Sequence, residues 1–241
     1  MRAIVKILII YYTSVCLQSP DSRGKEEKMT GLVFSGGKGP AADRVRAVVD
    51  ELGGERLIAA ADSGLDAAER AGLQPDWIVG DMDSLGYPDR LAAYSHEQVL
   101  RYPAEKDFTD TELAFTLLRE KGCADIWIIG GGGGRVDHLF GIRSMCEREE
   151  FPRRWILHNA DIYCVQAEEL LTLRLRTGAV VSVFPLADGP WKAQSQGLKW
   201  PLDGLQWNRG FIGVSNTAVD GELALHIQQG RFMVIAPGNC E

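Results

Sequence analysis

Residues 109–138 read TDTELAFTLLREKGCADIWIIGGGGGRVDH, and this stretch decides the fold. Thr109 followed three residues later by Glu112 is the capping-box signature of a helix start. Ala114, Leu117 and Leu118 supply an apolar stripe at helical spacing, and Gly122 ends it, so a helix is expected up to Lys121. Ile126 to Ile129 then form an unbroken apolar run, the mark of a strand covered on both faces. Five glycines, Gly130 to Gly134, lead directly into a second helical segment from Asp137 to about Glu149. Helix, buried strand, glycine turn and helix together imply a parallel sheet covered by helices.

The same alternation runs outward on both sides. Upstream, Leu32 to Ser35, Leu57 to Ala61, Trp77 to Val79 and Val99 to Tyr102 read as strands. Between them, Asp43 to Leu52 reads as a helix with Val45, Val48, Val49 and Leu52 on one face, and Leu65 to Ala71 as a shorter one. Downstream, Trp155 to His158 is a further strand. After about Ala167 the helical period disappears. Leu171 to Arg176 alternates strictly, and short strands follow at Val180 to Phe184, Phe211 to Ser215, Leu223 to Ile227 and Phe232 to Ile235. The expected fold class is α/β: an N-terminal, mostly parallel sheet flanked by helices over residues 29–167, then a C-terminal antiparallel β-sandwich over 168–241.

Residues 1–28 stand apart as an extension outside the fold. Two readings remain open. One is an appendage read from an early start, favoured by Met29 lying directly before a strand-like run. The other is a secretion signal, which lacks an A-x-A site after its apolar segment. That segment, Ile4 to Leu17, is too short to span a bilayer, so no membrane association is expected. The chain of 241 residues carries 33 acidic against 26 basic residues, a net charge of -7. This balance argues against a nucleic-acid partner but leaves phosphate substrates open, since a metal ion can bridge carboxylates to phosphates. Cys16, Cys123, Cys146, Cys164 and Cys240 form no C-x-x-C pair. A disulfide framework or zinc site is therefore not expected, and a cytoplasmic location is.

In parallel α/β sheets ligands bind beyond the carboxyl ends of the strands. Four strand ends here lead into six aspartates: Asp62, Asp81, Asp83, Asp107, Asp110 and Asp137. Each alone serves as readily as a cap or turn residue. Six together repel unless a cation neutralises them, and hard oxygen donors favour Mg²⁺ over zinc. The glycine run, with Arg135 beside it, suits a phosphate. A competing motif is Gly37-Lys38-Gly39-Pro40-Ala41-Ala42, a G-x-G-x-x-A match with Asp62 placed 20 residues beyond Ala42. It would indicate a nicotinamide-dinucleotide-dependent oxidoreductase, the runner-up reading.

Taken in order, Ala61-Asp62-Ser63-Gly64, Gly80-Asp81-Met82-Asp83-Ser84, Lys106-Asp107-Phe108-Thr109-Asp110, Gly132 to His138, Gly197-Leu198-Lys199-Trp200 and Ser215-Asn216-Thr217 resemble the thiamine pyrophosphokinase family. The resemblance implies an ATP- and Mg²⁺-binding α/β domain, a thiamine-binding and dimerisation sandwich, and a homodimer. It also implies transfer of pyrophosphate from ATP to thiamine. Asp81, Asp83 and Asp110 would be the metal ligands, with Asp62, Asp107 and Asp137 as further catalytic partners. Asp62 or Asp137 would accept the hydroxyl proton. Ser63, Lys106, Thr109, Gly132, Gly133, Gly134, Arg135 and His138 would contact ATP. Leu198, Trp200, Ser215 and Asn216 would form the thiamine pocket. Two features depart from the commonest pattern: Ser63 stands where many members have glycine, and the glycine run is longer than usual.

Overall fold

The computed structural model describes residues 16–18, 29–83 and 88–238. Its elements run β1 (Cys16–Gln18), β2 (Thr30–Ser35), α1 (Ala42–Leu52), β3 (Arg56–Ala61), α2 (Gly64–Arg70), β4 (Trp77–Gly80), a 3₁₀ turn (Pro88–Ala93), β5 (Val99–Arg101), α3 (Asp110–Glu120), β6 (Asp125–Gly130), α4 (Val136–Met145) and β7 (Arg154–Ile156). Seven strands complete the chain: β8 (Ala160–Gln166), β9 (Glu169–Arg174), β10 (Val180–Leu186), β11 (Lys192–Gln196), β12 (Gly213–Thr217), β13 (Glu222–Gln229) and β14 (Arg231–Pro237).

The main sheet has ten strands in the order β12-β10-β14-β8-β7-β6-β2-β3-β4-β5. From β7 to β5 the pairing is parallel, and from β8 to β12 it is antiparallel. β2 lies between β3 and β6 and is buried along its whole length. Leu32 and Phe34 pack with Val45, Val48 and Val49 of α1 on one face. Val33 packs with Ala114, Phe115 and Leu118 of α3 on the other, as a parallel strand covered on both faces requires. Thr109 caps α3 through the expected capping box with Glu112.

A separate four-stranded antiparallel sheet, β1-β9-β13-β11, packs against the antiparallel end of the main sheet. The α/β layer and the sandwich therefore share one sheet. β8 serves both. Its Tyr163 and Val165 enter the sandwich core, while Ile162 and Cys164 enter the core with α3 and α4, because side chains alternate along a strand. Three residues of the segment set apart as an extension, Cys16–Gln18, pair with β9 as the edge of the smaller sheet. The rest of residues 1–28, with Ser84 and Cys240, lies outside the described residues.

A buried charged group ties α1 to β7 and β8. Arg44 and Arg154 both bond Asp161, Arg154 at 2.5 Å, and Tyr163 donates to the same carboxylate at 3.2 Å. Arg44 also donates to the carbonyl of Leu157 at 2.6 Å.

Candidate active site

The carboxyl ends of β3 and β4 meet the start of α3. Asp62 follows β3 in a left-handed conformation (φ 47°), and its N–H donates to the Val79 carbonyl at 2.9 Å. This turns its side chain toward the next strand end, where Asp81 follows β4. Asp110 is the first residue of α3. One carboxylate oxygen from each of Asp62, Asp81 and Asp110 lies within 4.8 Å of the others. Gly80 makes the approach possible. A Cβ there would sit 3.1 Å from Asp110 Cγ and 3.2 Å from Asp62 Cβ, at a φ of 152°.

Lys106 stands against this group. Its ammonium lies 3.0 Å from Asp110 Oδ1 and 3.9 Å from Asp81 Oδ2, and donates to the Pro103 carbonyl at 3.1 Å. Asp83 donates its backbone N–H to Asp81 Oδ1 at 3.2 Å. That bond, with the nearby Lys106 charge, holds the Asp81 carboxyl below its ordinary range. Three carboxylates and one ammonium leave two negative charges, presented by hard oxygen donors. That donor chemistry, and the space kept open at Gly80, fit a divalent cation such as Mg²⁺.

The structure thus groups Asp62, rather than Asp83, with Asp81 and Asp110. Met82 is left-handed (φ 67°), and Asp83 beyond it is exposed, contributing its N–H to the group. Asp107 is exposed. Asp137 is also exposed at the start of α4, where Arg135 binds it at 2.5 and 3.2 Å. The guanidinium bonds hold the Asp137 carboxyl down at about 2 and push Arg135 up. The Thr109 hydroxyl is engaged with Glu112, accepting its N–H at 3.2 Å and donating to its carboxylate at 2.9 Å.

The glycine loop is built against the loop after β2. Gly131 N–H donates to the Gly36 carbonyl at 2.8 Å, and Lys38 N–H donates to the Gly132 carbonyl. Gly131, Gly133 and Gly134 all have positive φ, a backbone that bare glycines adopt without strain. Gly132 is buried, whereas Gly133, Gly134 and His138 are exposed. Ser63 precedes α2 beside Gly36. The Gly37–Ala42 motif is thus occupied in pairing with the second glycine loop, and its distant acidic partner Asp62 belongs to the carboxylate group. Two other contributors carry no motif: the Ser35 and Thr111 hydroxyls bond at 2.8 Å in the interior, joining β2 to α3.

In the sandwich, the Asn216 side chain bonds both backbone groups of Trp200: its Oδ1 accepts the N–H at 3.1 Å and its Nδ2 donates to the carbonyl at 2.6 Å. Asn216 is buried and so holds the Trp200 backbone in place, while Trp200 as a residue stays 54% exposed, with the Lys199 ammonium 4.6 Å from its ring centroid. Leu198 is buried and bridges Ala218. Ser215 is exposed and left-handed (φ 63°), its N–H donating to Ser182 Oγ at 3.3 Å.

Comparison with known proteins bears on both layers. Residues 50–153 match the family model of the thiamin pyrophosphokinase catalytic domain, and residues 168–231 match that of its vitamin B1 binding domain. A curated thiamine pyrophosphokinase of Bacillus subtilis (strain 168) is 38% identical over 81 residues, which span 33% of this chain and 38% of the relative. A crystal structure of thiamine pyrophosphokinase from Bacillus subtilis superposes with a TM-score of 0.71 at 22% identity, covering 88% of this chain and 100% of the other. That of thiamin pyrophosphokinase from Geobacillus thermodenitrificans gives 0.66 at 24% identity, covering 88% and 99%. That of thiamin pyrophosphokinase from Candida albicans gives 0.60 at 17%, covering 88% and 90%. With both family models matched in order, one on the layer that carries the carboxylates and the other on the sandwich that carries Trp200, the chain belongs to the thiamin pyrophosphokinase family.

Proposed function

We propose that the protein transfers the pyrophosphoryl group of ATP to the hydroxyl of thiamine, giving thiamine diphosphate and AMP. The observation that carries this reading is the convergence of Asp62, Asp81 and Asp110 beside a glycine loop, in a chain matching both domains of the family. The thiamine oxygen attacks the β-phosphorus, the bond from that phosphorus to the bridging α,β-oxygen breaks, and AMP leaves. The hydroxyl proton passes to a carboxylate at this edge. Such transfers depend on positioning and charge neutralisation. Asp62, Asp81 and Asp110 would hold Mg²⁺, which supplies positive charge to the phosphate oxygens. Lys106 and the glycine-loop N–H groups add positive charge and orient the phosphates.

Trp200, largely exposed as a residue, presents a rigid indole to the aromatic rings of thiamine. The same reading includes a homodimer that completes the thiamine pocket. Its support is the exposed apolar side chains at the start of β12, where Ile212 is 69% and Val214 55% exposed. A cytoplasmic location belongs to the same proposal, supported by the free, buried thiols of Cys123, Cys146 and Cys164. Among the described residues no helix is long and apolar enough to cross a membrane.

Purified protein should release AMP from ATP only when both thiamine and a divalent cation are present. Release of ADP, or AMP release independent of thiamine, would overturn the reading.

A further inference from the structure

We infer that Lys38 is a phosphate-binding residue, supplied from the loop after β2 to complete the cradle that the glycine loop begins. The inference rests on the proposed use of ATP and adds a cation that the family motifs do not contain. β2 and β6 are neighbouring parallel strands, so the loops at their carboxyl ends share one edge of the sheet. The two loops are fastened together. Lys38 and Gly132 form an antiparallel bridge, and Gly131 N–H reaches the Gly36 carbonyl at 2.8 Å. Gly37 allows this closeness, since a Cβ on it would lie 2.8 Å from the Gly132 carbonyl oxygen. Gly133 allows the next step. A Cβ on Gly133 would sit 2.9 Å from Lys38 Cβ, 3.6 Å from Cδ and 3.8 Å from Cγ, so the lysine stem runs along the glycine loop.

Charge separates Lys38 from the other cations at this edge. Arg135 is bound by Asp137, and Lys106 by Asp110 with Asp81 close by. Lys38 is exposed on a loop held by backbone bonds, and none of the ion pairs formed among the described residues at this edge involves it. An ammonium on a flexible stem beside glycine N–H groups matches a tetrahedral, doubly charged phosphate rather than a neutral base or sugar. The ligand class is the polyphosphate tail of a nucleoside triphosphate.

The test is calorimetric titration of the full chain, with Mg²⁺, using the non-cleavable analogue α,β-methylene-ATP, and separately adenosine. Lys38→Ala should raise the Kd for the analogue about tenfold, the size of one charge-assisted hydrogen bond, and leave adenosine binding unchanged. Lys38→Arg should stay within about threefold of the natural chain, because the charge is kept. An unchanged Kd for the analogue in Lys38→Ala, or an equal loss for adenosine, overturns the role of Lys38 alone. Failure of the natural chain to bind the analogue would overturn the proposed function together with it.

Discussion

Gly80 is the residue on which the carboxylate group turns. Its φ of 152° is a glycine conformation, and a methyl group there would press on both Asp62 and Asp110 at 3.1–3.2 Å. Gly80→Ala should cost about 1–3 kcal/mol of stability, as expected for one strained residue. It should also weaken divalent-cation binding. A thermal melt and a Mn²⁺ titration would show both. Asp81→Asn keeps shape and removes one charge, so turnover should fall at least about a hundredfold with the melting temperature preserved. A variant with near-normal AMP release would remove Asp81 from the chemistry. At this scale the sequence was informative but incomplete. The strand-end position marked all six aspartates, yet their convergence depends on backbone conformations that residue type does not reveal. Asp81 and Asp83 are neighbours across left-handed Met82, and Asp83 bonds Asp81 through its backbone N–H. Asp62 joins the group because β3 lies beside β4, an order fixed by pairing between distant segments.

Among the elements, α3 was the most legible, since its cap, stripe and stop are local signals. It also has a positional task, because Asp110 is its first residue and Thr111 bonds Ser35 inside the protein. Thr109→Ala should lower stability by about 1 kcal/mol and the melting temperature by about 2–4 °C. A larger loss in activity than in stability would show that the cap also holds Asp110 in register. The link from α1 to β7 and β8 had no sequence signal, because Arg44, Arg154 and Asp161 meet only in the fold. Asp161→Ala would leave two buried guanidinium groups without their shared carboxylate, so it should destabilise by about 3–5 kcal/mol in urea unfolding.

For the whole molecule, alternating elements followed by alternating residues predicted the two layers. They did not predict that one sheet runs through both. Strand pairing is non-local, and β8 reads like any short apolar strand until β7 and β14 are seen on either side of it. β1 was hidden for the same reason: three residues gain strand structure only from β9. Quaternary structure is tested at this scale. Ile212 is exposed, so Ile212→Asp should leave a single chain folded. It should also shift sedimentation from dimer to monomer and reduce thiamine-dependent turnover. Sedimentation of the natural chain as a monomer would instead count against a shared pocket.

The unbroken ladder through β7, β8 and β14 restricts how the enzyme can move. A hinge between catalytic layer and sandwich would have to tear backbone hydrogen bonds on one side of β8 or the other. Clamshell closure of one half onto the other is therefore not open to this fold. Shielding of the strand-end carboxylates from water then falls to the loops around them.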